Sequence, residues 1–321
     1  MRCAKLLVLL GALVLLTTLS VQAKEYRFTQ SFTFDPDQPV TLALTFVTGS
    51  VTVTGGDGDV IAIDVEKTVD AVGMDQAAVI ADHIKIRSEE SDDRIELTTA
   101  YLKLEDYAPS FWDKLIGAPE DKAAGEVAFT IRVPEQTSLD VTSTTGPITI
   151  RNLIGDVTIA ASEGEIELNS IEGAIEIDNG TGSTHGEMLF GPMQIRQPLG
   201  EVTLRWVEGD IRLKSLSAAI DIQQEAGALD IVTRTGAVTI RTNLESRRDF
   251  FVETQSGNIE FLVPLTASGL LHISSDMGEI QTDVPISVEK YSREGIVGRF
   301  GRGGVRINLV SGSGDVTVAQ F

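Results

Sequence analysis

Residues 146–172 read GPITIRNLI GDVTIAASE GEIELNSIE, three nine-residue units that each begin with glycine. The spacing continues to Gly236, and Ala218 stands at the one position where glycine is missing. Two and four residues after most of these glycines lies a long or branched apolar side chain, as in Ile148 and Ile150. Alternation with a period of two predicts a strand with one buried face. Because so short a unit cannot enclose a core alone, neighbouring units are expected to stack as a solenoid.

The residue two positions before each glycine shows that alternate units are not equivalent. It is mostly small or polar in one set of units, and it is apolar in most of the others, at Leu153, Ile171, Leu189 and Val207. The repeat is therefore 18 residues, and it lengthens to 21 residues from Gly236 to Gly257 and from Gly257 to Gly278. We predict an all-β fold, a single parallel β-solenoid of the two-sided β-helix type. Its coils, roughly ten in number, are expected to stack at about 4.8 Å.

The N-terminus has the features of a secretory signal peptide. Arg2 and Lys5 precede an apolar run, and Val21-Gln22-Ala23 resembles a cleavage site. A membrane anchor is the alternative, but the apolar run is shorter than the roughly 20 residues that a spanning helix needs. We therefore expect residues 1–23 to be removed, no transmembrane segment to remain, and residues 24–321 to form one solenoid domain in the periplasm, at the cell surface or outside the cell.

Composition limits the partners and the chemistry of the exported chain. Its only cysteine, Cys3, lies in the signal peptide, so neither disulfides nor thiol chemistry are expected. The formal charge of −21 becomes −23 when Arg2 and Lys5 are removed. An acidic surface of this kind disfavours binding to nucleic acid or to anionic lipid.

Residues 66–126 depart from the repeat, and we predict an irregular insert that caps the solenoid. Asp75 is expected to cap a short helix that runs through His83. Four aromatic residues near the end of the insert are candidates either for covering an open end of the core or for binding a partner: Tyr101, Tyr107, Phe111 and Trp112. A second excursion, residues 284–304, is expected to be a surface loop.

No catalytic, cofactor or metal motif is recognisable in the sequence. The three histidines are far apart, and there is no zinc-protease, nucleophile-elbow or phosphate-loop pattern. Calcium-binding nonapeptides also repeat every nine residues, but they carry an aspartate that Val60 replaces in the nearest match, Gly55–Asp59. In an 18-residue register, Asp156, Asp210 and their neighbours form outer columns without a sustained pair of acids, which disfavours a polysaccharide lyase or hydrolase. We therefore expect no cofactor, no metal and no enzymatic activity.

Several segments together resemble the bacterial putative-adhesin domain family of exported β-solenoid proteins. They include a strand that ends in Val-Pro and repeated units of the type Thr/Ser-x-Ser/Asn-Gly-Asp-Ile-x-Val; here they are Thr48–Val53, Ile131–Pro134, Thr145–Ile150, Ser256–Ile259 and Ser313–Val316. The resemblance spans most of residues 40–321. It implies a β-solenoid of the cell envelope and supplies no catalytic residues.

Three functional hypotheses follow. The first is a non-enzymatic, adhesin-like scaffold that binds an envelope or extracellular protein or glycan. The second is a carbohydrate-active enzyme built on a β-helix. The third is a structural or regulatory envelope protein that docks a partner through the aromatic segment 101–112.

Overall fold

The computed structural model describes residues 23–102, 125–245, 248–292 and 295–321, and most of them lie in strands. Among the described residues, one helix, α1 (Met74–His83), interrupts the series. In chain order the strands are β1 (Lys24–Phe34), β2 (Thr41–Gly56), β3 (Ile61–Ala71), β4 (Ile84–Glu90), β5 (Arg94–Tyr101), β6 (Glu126–Pro134), β7 (Ser138–Thr145), β8 (Ile148–Ile154), β9 (Val157–Glu172), β10 (Ile175–Phe190), β11 (Met193–Arg196), β12 (Leu199–Glu208), β13 (Ile211–Lys214), β14 (Ser217–Ala226), β15 (Leu229–Thr235), β16 (Val238–Glu245), β17 (Phe250–Ser256), β18 (Ile259–Val263), β19 (Gly269–Ser275), β20 (Ile280–Thr282), β21 (Ser287–Ser292), β22 (Gly295–Phe300), β23 (Val305–Ser311) and β24 (Val316–Gln320).

The coils stack in parallel, and the regular ones are offset by 18 residues. Ile175 lies beside Val157, and Thr184 lies beside Ile166. This pairing confirms the predicted parallel β-solenoid. Each coil contributes one strand to each of two walls. In the described chain the first wall runs in the order β5, β2, β7, β9, β10, β11, β13, β15, β17, β23, β19, and the second in the order β6, β2, β8, β9, β10, β12, β14, β16, β18, β24, β20. Eleven stacked coils give a length of about 48 Å.

The core is a thin apolar layer between the walls. Ile148, Ile166 and Val202 lie in one inward row of the second wall, and each is fully buried. Thr184 occupies the same row between Ile166 and Val202. Phe46 packs on Phe129 near one end, and Phe250 packs on Phe261 towards the other, with 6.0 Å between ring centroids in both pairs.

Glycine begins most units because a neighbouring coil leaves no room for a side chain. A Cβ on Gly200 would lie 1.7 Å from the carbonyl oxygen of Gly182, and one on Gly209 would lie 1.9 Å from that of Gly191. Gly200 also has a φ of 115°, where side chains are strained. The glycines therefore form two stacked columns, one at each corner of the coil.

A left-handed residue in several second-wall strands, which we call the bulge although neighbouring coils keep their register across it, explains why alternate units differ. On the second wall, Ser170, Met188 and Trp206 adopt a left-handed backbone with φ between 51° and 57°. Each is an extra outward residue that lets the next one, such as Leu189, point inward. First-wall units keep strict alternation, so that the inward residue there is three positions before the glycine, as at Gln197.

The order of coils in space departs from their order along the chain at both ends. The coil that contains Gly314 stacks on the coil of Gly257, and the coil of Gly278 lies outside it. At the other end, β2 lies between the β5/β6 coil and the β7/β8 coil. The Gly278 coil therefore does not stack on the Gly257 coil, although the two glycines are separated by the same 21 residues as Gly236 and Gly257.

Antiparallel strands cover the terminal coils. β3 and β1 extend the second wall beyond β6, and β4 lies beside β5. At the C-terminal end β22 and β21 extend from β19, so residues 284–304 contain a hairpin instead of the predicted loop. The insert 66–126 includes regular strands over 84–90 and 94–101, while residues 103–124 lie outside the described residues. Whether the insert acts as a cap stays a prediction.

Helix α1 forms, but Asp75 does not cap it. The N-cap is Gly73, which has no side chain to accept a hydrogen bond, and Asp75 lies in the first turn. At the other end the Lys67 ammonium donates to the carbonyl oxygens of Ile84, at 2.6 Å, and Ala81, at 3.4 Å. Burial lowers the pKa of Lys67. The helix is thus held at its C-terminus, where exposed carbonyls favour a cation.

Candidate functional site: a charged groove on the first wall

A surface depression of about 690 Å³ runs along the outer side of the first wall. We call it the charged groove. It is built from two outward columns, a corner column that follows the glycines and a wall column two residues further on. The corner column is Asp156, Ala174, Pro192, Asp210 and Ala228; the wall column is Thr158, Glu176, Gln194, Arg212 and Asp230. Parallel stacking in an 18-residue register brings these side chains together.

In the corner column, aspartate binds the backbone of the next coil. Asp156 Oδ1 accepts a hydrogen bond from the Ala174 amide at 2.9 Å, and Asp210 Oδ1 accepts one from the Ala228 amide at 3.0 Å. Ala174 has no side-chain acceptor to offer the following coil, but that coil begins with Pro192, which has no N–H. The aspartate after glycine therefore braces adjacent coils, a role that the sequence did not reveal.

The wall column is a ladder of complementary polar groups. Gln194 donates to Glu176 Oε1 at 3.1 Å, and Arg212 lies 3.5 Å from Asp230. Each pair joins neighbouring coils. These side chains are half-exposed or exposed, so each pair adds little stability by itself. The wall column therefore presents charged side chains that are held in fixed orientations by their partners on the neighbouring coils.

The C-terminal end of the groove is closed by residues from the connection into β17. Arg248 binds the Asp210 carboxylate, and Asp249 binds Arg306 at 3.2 Å. Phe251 provides a half-exposed aromatic wall. The five carboxylates that line the groove, on Asp156, Glu176, Asp210, Asp230 and Asp249, thus all have a hydrogen-bond or ion-pair partner.

Exposed apolar side chains lie on second-wall strands near the corner of the groove. Ile154 and Phe190 directly precede the corner glycines Gly155 and Gly191, and they are 45% and 42% exposed. Glu172 lies between them in the stack. Met188 and Trp206, 37% and 49% exposed, occupy equivalent left-handed positions on neighbouring coils. Exposed apolar side chains near oriented polar groups are a common feature of binding surfaces.

Buried amides lie inside the coils near both corners, and reasoning from the sequence missed them. Asn179, Gln197 and Gln224 are each at most 1% exposed. Each donates to the carbonyl oxygen of a corner glycine 15 residues earlier, at 3.2, 2.9 and 2.7 Å respectively. Gln197 also accepts from the Thr184 hydroxyl at 2.6 Å. A polar residue three positions before a glycine, or six after one, is the signal that would have found them.

Of the four aromatic candidates, only Tyr101 is described. It is half-buried at the end of β5, packs against the core, and donates its hydroxyl to the carbonyl oxygen of Thr48 at 3.3 Å. Burial raises the pKa of Tyr101. Tyr107, Phe111 and Trp112 lie outside the described residues, so a role of this set in capping or in partner binding stays a prediction.

In the described ranges, no group of three or more His, Cys, Asp or Glu side chains is placed to hold an ion. His185 lies on the second wall, 3.9 Å from Glu165.

Comparison with protein families identifies the chain. The model of the Toastrack DUF4097 family matches residues 42–319. The chain belongs to this family. The match covers both walls of the Toastrack solenoid, including the charged groove, and it confirms the resemblance found in the glycine-led units.

Three solved structures are similar to this Toastrack chain. A putative adhesin from Parabacteroides merdae is 11% identical, with 91% of this chain and 95% of that one covered and a TM-score of 0.49. A putative cell adhesion protein from Clostridium sporogenes is 10% identical, with 92% and 100% covered and a TM-score of 0.26. A putative lipid binding protein from Parabacteroides distasonis is 10% identical, with 91% and 96% covered and a TM-score of 0.35. The curated proteins contain no match to the chain.

Over the described residues, this Toastrack chain has no helix with the length and apolar character needed to cross a bilayer.

Proposed function

We propose that this Toastrack protein is an exported, non-enzymatic scaffold that binds an envelope or extracellular partner along the charged groove. The observation that carries the proposal is the groove itself, which spans successive coils and combines oriented charges with an exposed apolar border. A groove that follows stacked strands fits an extended segment of a protein or a glycan. Export is supported by the N-terminal sequence, Arg2 to Ala23.

The chemistry of the groove supports binding without turnover. Its carboxylates are engaged in bracing coils, as at Asp156 with the Ala174 amide and at Glu176 with Gln194. A glycosidase needs one carboxyl group to give up a proton and another to attack or to activate water, with the two about 5–9.5 Å apart. Asp156 and Asp210 are three coils apart, about 14 Å by the strand spacing. Asp210 and Asp230 lie on adjacent coils, and each is paired with an arginine, Arg248 and Arg212 respectively.

The test is to block the groove without disturbing the fold. Ala174→Arg places a long side chain on the exposed floor of the corner column. Ala237→Arg is the matched control, since it also follows a corner glycine, Gly236, and is exposed, but lies at the opposite corner. Wild-type and variant proteins are compared for binding to an array of bacterial envelope polysaccharides and for crosslinking to envelope proteins.

We expect a ligand to be retained by the wild type and by Ala237→Arg and lost by Ala174→Arg, with equal melting temperatures for all three. Equal binding by both variants would show that the binding site lies outside the charged groove. Release of new reducing ends from any polysaccharide on the array would replace the scaffold proposal with an enzymatic one.

A further inference from the structure

The four sheet edges of the described chain differ in how they are protected against pairing with another strand. Unpaired edges invite intermolecular pairing, and proteins protect them with charges, bulges, prolines or short strands. β4 carries four charged residues among seven, β20 has three residues, and β21 has a bulge next to Glu289 and Lys290. These three edges are protected.

The fourth edge, β1, lacks such protection over most of its length. It has 11 residues and pairs with β3 alone, in one unbroken register, among the described residues. Its charges are confined to Lys24, Glu25 and Arg27, and the remaining segment, Phe28–Phe34, reads FTQSFTF. An uncharged segment of this length, rich in aromatic and β-branched residues and without proline or glycine, pairs readily with a similar strand.

The side chains of β1 favour a partner with the same sequence. Phe28, Phe32 and Phe34 are half-buried against the core, while Thr29 and Ser31 are exposed on the other face. In an antiparallel alignment centred on Ser31, Phe28 faces Phe34 of a second copy, Thr29 faces Thr33, and the uncharged segment pairs wholly with itself. Arg27 then comes beside Asp35 of the second copy, a complementary charge pair at each end of the ladder.

We propose that the protein forms a two-fold symmetric homodimer in which the β1 strands of two copies pair antiparallel about Ser31. Such an interface is isologous and self-limiting. It extends the second wall from one copy into the other through β6, β3 and β1. The two solenoids, which carry a large net negative charge, then lie at opposite ends of the assembly, where their mutual repulsion is small. A single-strand interface is small, so the dimer is expected to be weak.

Engineered cysteines test the register directly. In a Cys3→Ser background the chain has no other cysteine. Ser31→Cys places two thiols opposite each other in a cross-strand pair, whose Cα separation of about 4.5–5.5 Å suits a disulfide. Thr29→Cys is the matched control, because the proposed register sets the two introduced thiols four residues apart along the ladder. The full chain is expressed with its own N-terminus, purified and oxidised in air.

We expect Ser31→Cys to form a covalent dimer and Thr29→Cys to remain mostly uncrosslinked. Without cysteines, sedimentation should show a monomer–dimer equilibrium that Ser31→Lys shifts to monomer, since it sets two ammonium groups side by side. Circular dichroism spectra unchanged by Ser31→Lys would show that the monomer fold is kept. A protein that is monomeric at every concentration, or a dimer that crosslinks equally through both cysteines, would overturn the proposal.

Discussion

At the scale of single residues, the corner glycines set how closely the coils approach. Gly200 has a φ of 115°, and a Cβ there would lie 1.7 Å from the carbonyl oxygen of Gly182. Relieving that contact requires the coils to separate, which breaks hydrogen bonds on both walls. Ala218, in the same column, is fully buried and has no positive φ, so alanine is accommodated there by a different backbone.

Gly200→Ala is therefore expected to lower the free energy of unfolding by about 3 kcal/mol or more, because the cost of overpacking and the cost of a strained backbone add together. Urea denaturation followed by circular dichroism measures the change. Gly58→Ala is the control, since a Cβ there would have no neighbour within 4 Å. Its effect should stay within about 1 kcal/mol. Similar losses at the two sites would show that the close approach of the coils does not limit the choice of residue.

At the scale of strands, Tyr101 ties the end of β5 to the corner of β2 through the Thr48 carbonyl oxygen. Burial raises its pKa above the ordinary value of 10.0. The folded protein thus favours the neutral phenol. The resulting stabilisation is complete below about pH 10, the ordinary pKa of the unfolded chain, and is lost as the pH rises through the higher folded pKa.

Tyr101→Phe should destabilise the protein by about 1 kcal/mol at neutral pH, the usual worth of one hydrogen bond. The difference from wild type should shrink above pH 10, because the phenylalanine variant has no hydroxyl to ionise. Chemical denaturation at pH 7 to 11 gives both quantities. Tyr291→Phe, at a side chain 77% exposed, is the control. A difference that grows with alkaline pH would contradict the assigned direction of the shift.

Strand patterns in the sequence were sufficient to predict the walls but not the order of the terminal coils. Ile148, Ile166 and Val202 show which residues face inward, because period-two alternation depends only on local burial. The same alternation recurs in every unit, so it does not indicate which coil lies next to which. The Gly314 coil lies between the Gly257 coil and the Gly278 coil. The spacing of the glycines along the sequence therefore does not reveal this order. Bulges at Met188 and Trp206 were also hidden, because bulky residues rarely adopt a left-handed backbone.

The charged groove was predictable only in part. The corner column that contains Asp156 and Asp210 follows from the 18-residue register and was predicted. Their hydrogen bonds to the backbone of the next coil were missed, because a carboxylate after glycine is equally consistent with a solvated surface. Gln197 and the other buried amides were not predicted, because a polar residue beside a glycine turn is usually exposed to solvent.

At the scale of the whole molecule, each regular coil contacts only its neighbours, so the solenoid should tolerate loss of a full coil. Deleting residues 175–192 removes 18 residues and sets Met193 against Val157, in the row that Ile175 occupied. Deleting only 175–183 shifts the downstream chain by half a coil. It brings bulged strands, with their inward Leu189 and Val207, onto the wall that lacks the bulge.

We expect the 18-residue deletion to keep the strand signal in circular dichroism and a single cooperative unfolding transition, with a modest loss of stability. The nine-residue deletion should lose cooperativity, because apolar residues of one wall type would lie over outward positions of the other. Both deletions begin at Ile175, so the junction on that side is the same. Equal tolerance would mean that the true period is nine residues and that the two walls are interchangeable, contrary to the alternation of bulged and unbulged strands on which the charged groove depends.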